Sequence, residues 1–218
     1  MVSKFATGYS TDARGRPFRR RNYRPAIVIA SVLAVLALAA WIFTVVSQRS
    51  EAAPIDCNMP TAKGAPDLKP AARNDMLSVS PAALPSFQVE VVNSAAARGQ
   101  ARSVSDDLTG QGFSPGDPAY GDDPVYPDRD LHCVAQIRFG PATQAAAAAV
   151  WLAQPCAQLV NDGRSGTQVT LALGEYYTGG HPSQDVQAAV EALRAVDPRN
   201  PKSGVDRSLI EAVHNQKC

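Results

Sequence analysis

From Ala26 to Val46 the chain runs for 21 residues without a charge, and Ser31 and Thr44 are the only hydroxyls in it. At about 1.5 Å of rise per residue, a helix of that length spans roughly 30 Å, the thickness of a bilayer's hydrocarbon core. The run is therefore predicted to cross a membrane once, which excludes an ordinary cytosolic globular protein. Pro25 stands where a first helical turn tolerates proline, and Trp41 near the far end can reach the interface. Six arginines, Arg14, Arg16, Arg19, Arg20, Arg21 and Arg24, crowd just before the run. The positive-inside rule then places residues 1–25 in the cytoplasm and residues 47–218 outside, a single-pass type II arrangement. The rival is a cleaved signal peptide, for which Ser50-Glu51-Ala52 is a tolerable site. Its apolar region, however, usually holds about 7–15 residues, fewer than here. The arm before the span reads as a topology signal in a disordered tail. Contact with anionic head groups is its other reading.

The formal net charge of +1 over 218 residues hides this asymmetry. Residues 1–25 carry seven basic side chains and one acidic one, a net of +6. From Ser47 onward there are 14 basic and 19 acidic residues, a net of −5. Neither the total nor the exterior has the basic excess that nucleic-acid binding requires, so no nucleic-acid partner is expected. The length beyond the span allows one domain of ordinary size.

All four cysteines, Cys57, Cys133, Cys156 and Cys218, follow the span, on the side where oxidising conditions let disulfides persist. Four cysteines allow three pairings. Cys133 and Cys156 each open a candidate strand on either side of one helical stretch. A parallel crossover would bring them to one sheet edge, which favours Cys133–Cys156 and leaves Cys57 with Cys218. Zinc ligation is the weaker alternative, because the spacings are wide and no Cys-x-x-Cys pair occurs.

Between residues 47 and 85, Pro54, Pro60, Pro66, Pro70, Pro81 and Pro85 interrupt any period, and the segment reads as an extended extracytoplasmic spacer. Free, at about 3.1 Å per residue, it would reach on the order of 100 Å, and a bridge at Cys57 would shorten that sharply. From residue 86 to 218 the pattern becomes that of a folded domain. Phe87, Val89 and Val91 alternate with polar residues as in a strand with one buried face. Asn93-Ser94 can cap a helix whose Ala97, Ala101, Val104 and Leu108 share one stripe, with Gly110 and Gly112 stopping it. Ser114 to Asp130 is rich in Gly, Pro and Asp and reads as loop. Further strands are predicted at Cys133–Phe139, Ala157–Val160 and Val169–Leu173. Helices are predicted from Gly140-Pro141 to Pro155, over Gln184–Val196 and over Asp206–His214. Half-buried strands with helices imply a two-layer α/β sandwich, with helices on one face of a small mixed sheet.

The run Val89-Glu90-Val91-Val92-Asn93-Ser94, continued by Gly99, Ala101, Val104, Leu108 and Gly112-Phe113, resembles the opening of the LytR C-terminal domain family. Ile137-Arg138-Phe139-Gly140 is similar to that family's I-R-Y-G. Leu171-Ala172-Leu173-Gly174-Glu175-Tyr176 is similar to its L-x-L-G-x-D-Y. Ser94 stands where the family usually has Gly, and Glu175 where it has Asp. With one span and paired outer cysteines, the chain resembles the stand-alone actinobacterial members of the family. The resemblance implies a part in maintaining the cell envelope. The LytR-CpsA-Psr phosphotransferase domain that often precedes this module has no room here, so its activity is not implied.

Catalytic patterns are sought without success. Ser165, in Gly163-Arg164-Ser165-Gly166, lacks the nucleophile-elbow spacing. His132, His181 and His214 stand apart from one another, with no metal-ligand pairing. Asp117, Asp122, Asp123, Asp128 and Asp130 could together attract calcium, yet they lack the calcium-loop spacing and prolines interrupt them. Tyr120, Tyr126, Tyr176 and Tyr177 lie in or beside loops and are the candidate ligand-binding residues, since aromatic faces with carboxylates suit sugar polymers. The reading is thus a non-catalytic, membrane-anchored module that binds wall polymers or envelope-assembly proteins, with no cofactor and no metal. A calcium-assisted wall-polymer hydrolase or transferase, and an adaptor for a LytR-CpsA-Psr phosphotransferase complex, are its alternatives.

Overall fold

The apolar run forms one helix, α1, Arg24–Ser47, of 24 residues. Its apolar side chains from Ile27 to Trp41 are exposed all round, as suits a helix whose solvent is lipid. The computed structural model describes residues 23–47, 53–196 and 204–218. Residues 1–22 of the basic arm and the Ser50-Glu51-Ala52 site lie outside the described residues. The chain divides into two units, Met1–Glu51 and Ala52–Cys218.

The second unit is built on a six-stranded sheet: β1 (Lys69–Pro70), β2 (Gln88–Asn93), β3 (Ser114–Asp122), β4 (Ala135–Phe139), β5 (Ala157–Asn161) and β6 (Gln168–Leu173). Their spatial order is β1-β5-β4-β6-β2-β3. Strands β3, β2 and β6 run parallel to one another, and so do β4 and β5. The two groups meet antiparallel at β4 and β6, and β1 adds an antiparallel edge. All the unit's helices bury their apolar residues on one face: α2 (Arg73–Leu77), α3 (Gln100–Gly110), α4 (Gln144–Ala153), α5 (Gln184–Arg194) and α6 (Arg207–His214). The two-layer α/β sandwich expected from the sequence is what forms.

Helix α4 occupies the middle of that layer. Ala146 to Ala153 are all buried, and the helix touches β4, β5, α2, α5 and α6. Its alanine run supplies both helix propensity and a thin profile that other elements can approach on every side. Beneath it, Ile137, Phe139, Leu159, Val169, Leu171 and Val91 fill the space, each fully buried branched side chain stabilising by about 1.5–3 kcal/mol.

Four sequence expectations are corrected. Residues 53–85 do not form a free spacer: Leu68, Met76 and Leu84 are buried, β1 pairs with β5, and the segment belongs to the compact unit Ala52–Cys218. The prolines removed any period from this segment, but its scattered apolar residues still found a core. Ser114–Asp130 is not all loop, because its first nine residues are β3. Pro115 and Pro118 are tolerated there because β3 is an edge strand, its register with β2 shifted between Val89 and Val91. Helix α3 begins after Gly99, whose φ of 80° is left-handed, with no side-chain cap; Asn93 instead donates to Ala97 O in the turn before it, and Ser94 to Asp123.

The fourth correction concerns the disulfides. The bridges are Cys57–Cys133 and Cys156–Cys218, with Cα atoms 4.9 and 5.5 Å apart. The parallel crossover from β4 to β5 does form, with Ala135 beside Ala157, but Cys133 and Cys156 both lie before their strands begin, in separate segments. Cys133 enters a small cluster on the second face with Leu68, Val92, Tyr126, Leu131, Val160 and Ala172. Cys156 stands in the turn between α4 and β5, where it is bridged to the C-terminal Cys218.

Candidate functional site

Alternation along β4 turns Ala135, Ile137 and Phe139 toward the helices and Gln136 and Arg138 toward the second face. That second face is not bathed in water. The strap from Pro54 to Leu68 and the loop 123–133 lie over it, held by the Cys57–Cys133 bridge and by Val134 N–H donating to Pro54 O at 3.0 Å. Arg138 consequently has only 1% of its surface exposed. Its Nη1 and Nη2 donate to Asp123 Oδ1 and Oδ2 at 2.8 and 2.5 Å, and its Nε donates to Gln136 Oε1 at 2.9 Å. The guanidinium lies 5.3 Å from the centre of the Tyr126 ring, within cation–π range. Ser94 Oγ and Val125 N–H also donate to Asp123. Burial pushes the Asp123 carboxyl up, but Arg138, Ser94 and Val125 outweigh that and hold it below its ordinary value.

The four tyrosines singled out by sequence are not brought together. Tyr126 is buried, its hydroxyl donating to Asn58 O at 2.6 Å, and burial raises its pKa. Tyr177 is half-buried against the helical core, again with its hydroxyl pushed up by burial. Tyr120, 43% exposed, lies on β3 with the Arg102 guanidinium 6.0 Å from its ring, and Tyr176 is 45% exposed.

Tyr176 belongs to a rim at the carboxyl ends of β2, β3 and β6, where open α/β sheets commonly bind ligands. The rim is laced by backbone bonds: Ser94 and Ala95 N–H to Leu173 O, Leu131 N–H to Ser94 O, and Glu175 N–H to Leu131 O. On it His132 Nδ1 lies 2.7 Å from Glu175 Oε2, and Arg129 donates to Ala96 O at 2.7 Å while pairing with Asp122 at 3.6 Å. Chemically, the rim offers an exposed ring flanked by paired charges.

Of the acidic residues weighed for calcium, Asp123 is sealed in its ion pair and Asp122 faces Arg129. Among the described residues no group of three His, Cys, Asp or Glu side chains is placed to hold a metal ion. A groove of about 190 Å³ runs along α5, with buried Val186 and Val190 in its lining and Gln187, Glu191 and Arg194 beside them. Sequence reasoning did not find this groove, because it depends on how Gln111 after α3 meets α5.

A second buried polar group lies on the helical side. His214, 5% exposed, stacks on Trp151 with ring centres 3.5 Å apart, and Arg73 reaches over the same indole and donates to His214 O. Burial, with a contribution from the Arg73 charge, depresses the imidazole pKa to about 4.

The family signatures map onto this architecture. Val89 and Val91 enter the core, and Asn93 Nδ2 donates to Ala97 O at 3.1 Å to hold the turn into α3. Gly140 and Gly174 close β4 and β6 where backbone passes within reach. A Cβ on Gly140 would lie 1.9 Å from Arg164 O, and one on Gly174 would lie 2.1 Å from Cys133 O.

Residues 86–177 match the LytR_C model, described as LytR cell envelope-related transcriptional attenuator. Over 224 aligned positions, covering all of both chains, the sequence is 37% identical to the cell envelope integrity protein Cei of Mycobacterium tuberculosis. A crystal structure of the soluble domain of a conserved hypothetical secreted protein from Mycobacterium marinum is 39% identical to this chain. It superposes with a TM-score of 0.61, over 69% of this chain and 97% of that one. The chain belongs to the family of the cell envelope integrity protein Cei, whose folded unit contains a LytR C-terminal domain.

Proposed function

We propose that this protein is a non-catalytic, membrane-anchored module that supports cell envelope integrity by holding wall polymers or envelope-assembly proteins outside the membrane. The observation that carries this reading is the fate of the polar motif residues. Ser94, Asp123 and Arg138, the groups with reactive potential, are spent on one another in a sealed network, while Tyr120 and Tyr176 stay open to a partner. The arginines before α1 support a cytoplasmic N-terminus, and the two disulfides support an oxidising exterior for the folded unit. Membership in the Cei family supports the envelope role.

The test is retention of the purified folded unit on isolated cell walls, with and without their teichoic or arabinogalactan polymers. Retention that falls severalfold in Tyr120→Ala or Tyr176→Ala is expected; no retention on any wall preparation overturns polymer binding. The groove along α5, apolar within and charged at the rim, supports a second reading, an adaptor for a phosphotransferase complex. Crosslinking from Gln187 in live cells separates the two readings: a protein adduct there favours the adaptor.

A further inference from the structure

We propose that the uncovered strip of the sheet's second face, formed by Gln88, Glu90 and Gln168, binds an uncharged glycan chain; this rests on the reading of the unit as a binding module.

Strand register sets the floor. Gln88 lies beside Gln168 and Glu90 beside Thr170 on the neighbouring parallel strands β2 and β6, and Thr170 lies beside Arg138 on β4. All are on the face opposite the helices. The strap and the loop 123–133 cover the part of this face that holds Val92, Ala172 and Gln136, and Thr170 is buried beside them, but Gln88 remains exposed and Glu90 and Gln168 remain partly so.

The floor is pre-ordered. Gln168 Nε2 donates to Glu90 Oε2 at 3.2 Å, and Thr170 Oγ1 donates to the same oxygen at 3.3 Å. Neither bond uses Oε1. Arg164 Nη1 donates to Thr170 Oγ1 at 2.6 Å, and its Nε donates to Asp162 Oδ2 at 2.6 Å.

Two walls rise beside this floor, and each comes in against a glycine. On the β3 side, a Cβ on Gly116 would lie 2.9 Å from Gln168 Nε2 and 3.2 Å from Glu90 Cβ. On the other side, the loop bearing Arg164 passes over β4, where a Cβ on Gly140 would collide with Arg164 O at 1.9 Å. With Arg164 over Thr170 on β6, the open strip runs from β6 to β3, two strand spacings or roughly 10 Å. The glycine of the Ile137-Arg138-Phe139-Gly140 signature is thus what lets Arg164 close over Thr170.

Charge selects the occupant. Glu90 and Asp162 against Arg164 leave the strip one negative charge in excess, which repels phosphate- or carboxylate-bearing polymers. Sugar hydroxyls both donate and accept, and amides, a carboxylate and a guanidinium at strand spacing meet both needs.

Titration of the soluble unit with oligosaccharides of glucose, galactose and N-acetylglucosamine, with polyglycerol phosphate as the anionic control, tests this. At least one neutral glycan is expected to bind and the anion is not. Gln168→Ala should weaken that binding tenfold or more. Gln88→Trp, at an exposed position, should do the same by filling the floor, with the melting temperature unchanged. Binding of the anion alone, wild-type affinity in both variants, or retention on isolated walls without binding to any of the three glycans overturns the inference. Failure of the wild-type unit on isolated walls instead overturns the polymer-binding reading on which it rests.

Discussion

At Asp123 and Arg138 the fold places two charges where water cannot reach them, and removing one strands the other. Asp123→Asn keeps the shape but leaves the guanidinium uncompensated, a loss of about 3–5 kcal/mol. For a unit of this size that lowers the melting temperature on the order of 10 °C, measurable by circular dichroism of the soluble unit. The double variant Asp123→Leu with Arg138→Met should melt above either single variant, because it leaves no buried charge unpaired. His214 sets a pH dependence of definite sign. In the fold its imidazole stays neutral down to about pH 4, whereas the unfolded chain takes up that proton from its ordinary value of 6.5 downward. The unfolded state therefore binds more protons in that window, and stability present above pH 6.5 is lost as pH falls toward 4, by about 3 kcal/mol. His214→Phe, which keeps a ring on Trp151, should melt at nearly the same temperature at pH 7 and pH 4.5, while the wild type drops by several degrees.

Among the elements, the strap shows what a one-sequence reading reaches and where it stops. The helix-facing set of β2, β4 and β6 was legible, since Val89, Val91, Ile137, Phe139, Leu171 and Leu173 alternate and all are buried. Gln136 and Arg138 on the same alternation read as solvent-facing, yet both are 1% exposed. Their cover is the proline-broken segment after Pro54, which has no period to announce it. The Asp123–Arg138 pair was illegible for the same reason: a Gly/Pro/Asp-rich stretch hides which of five aspartates turns inward. Of the candidate tyrosines, loop position was readable but burial was not, because Tyr126 lies beneath that strap. The strap's anchor is testable. By the chain-entropy account, a bridge spanning 76 residues contributes about 4 kcal/mol. Cys57→Ser with Cys133→Ser should lower the melting temperature on the order of 10 °C and open Lys63 to trypsin. Non-reducing peptide mapping that joined Cys133 to Cys156 would overturn the strap as described.

For the whole molecule, topology and stability are one question. Residues 1–25 carry a net +6 and residues 47–218 a net −5, and in the proposed topology the two lie on opposite sides of one span, with the folded unit's two bridges on the oxidising side. Orientation therefore decides whether the folded unit reaches its full stability. In the proposed orientation, changing Arg19, Arg20, Arg21 and Arg24 to Glu removes the charge bias that favours an N-terminus inside. A fraction of chains should then keep the folded unit in the reducing cytoplasm, where Cys57, Cys133, Cys156 and Cys218 remain thiols. Alkylation of intact cells' protein followed by gel shift should show no reactive cysteine in the wild type and up to four in that fraction. Because each bridge contributes several kcal/mol against a total stability of about 5–15 kcal/mol, the misoriented fraction should also turn over faster. Four blocked cysteines in the charge-reversed variant, with unchanged abundance, would show that orientation is set elsewhere than in the arginine cluster.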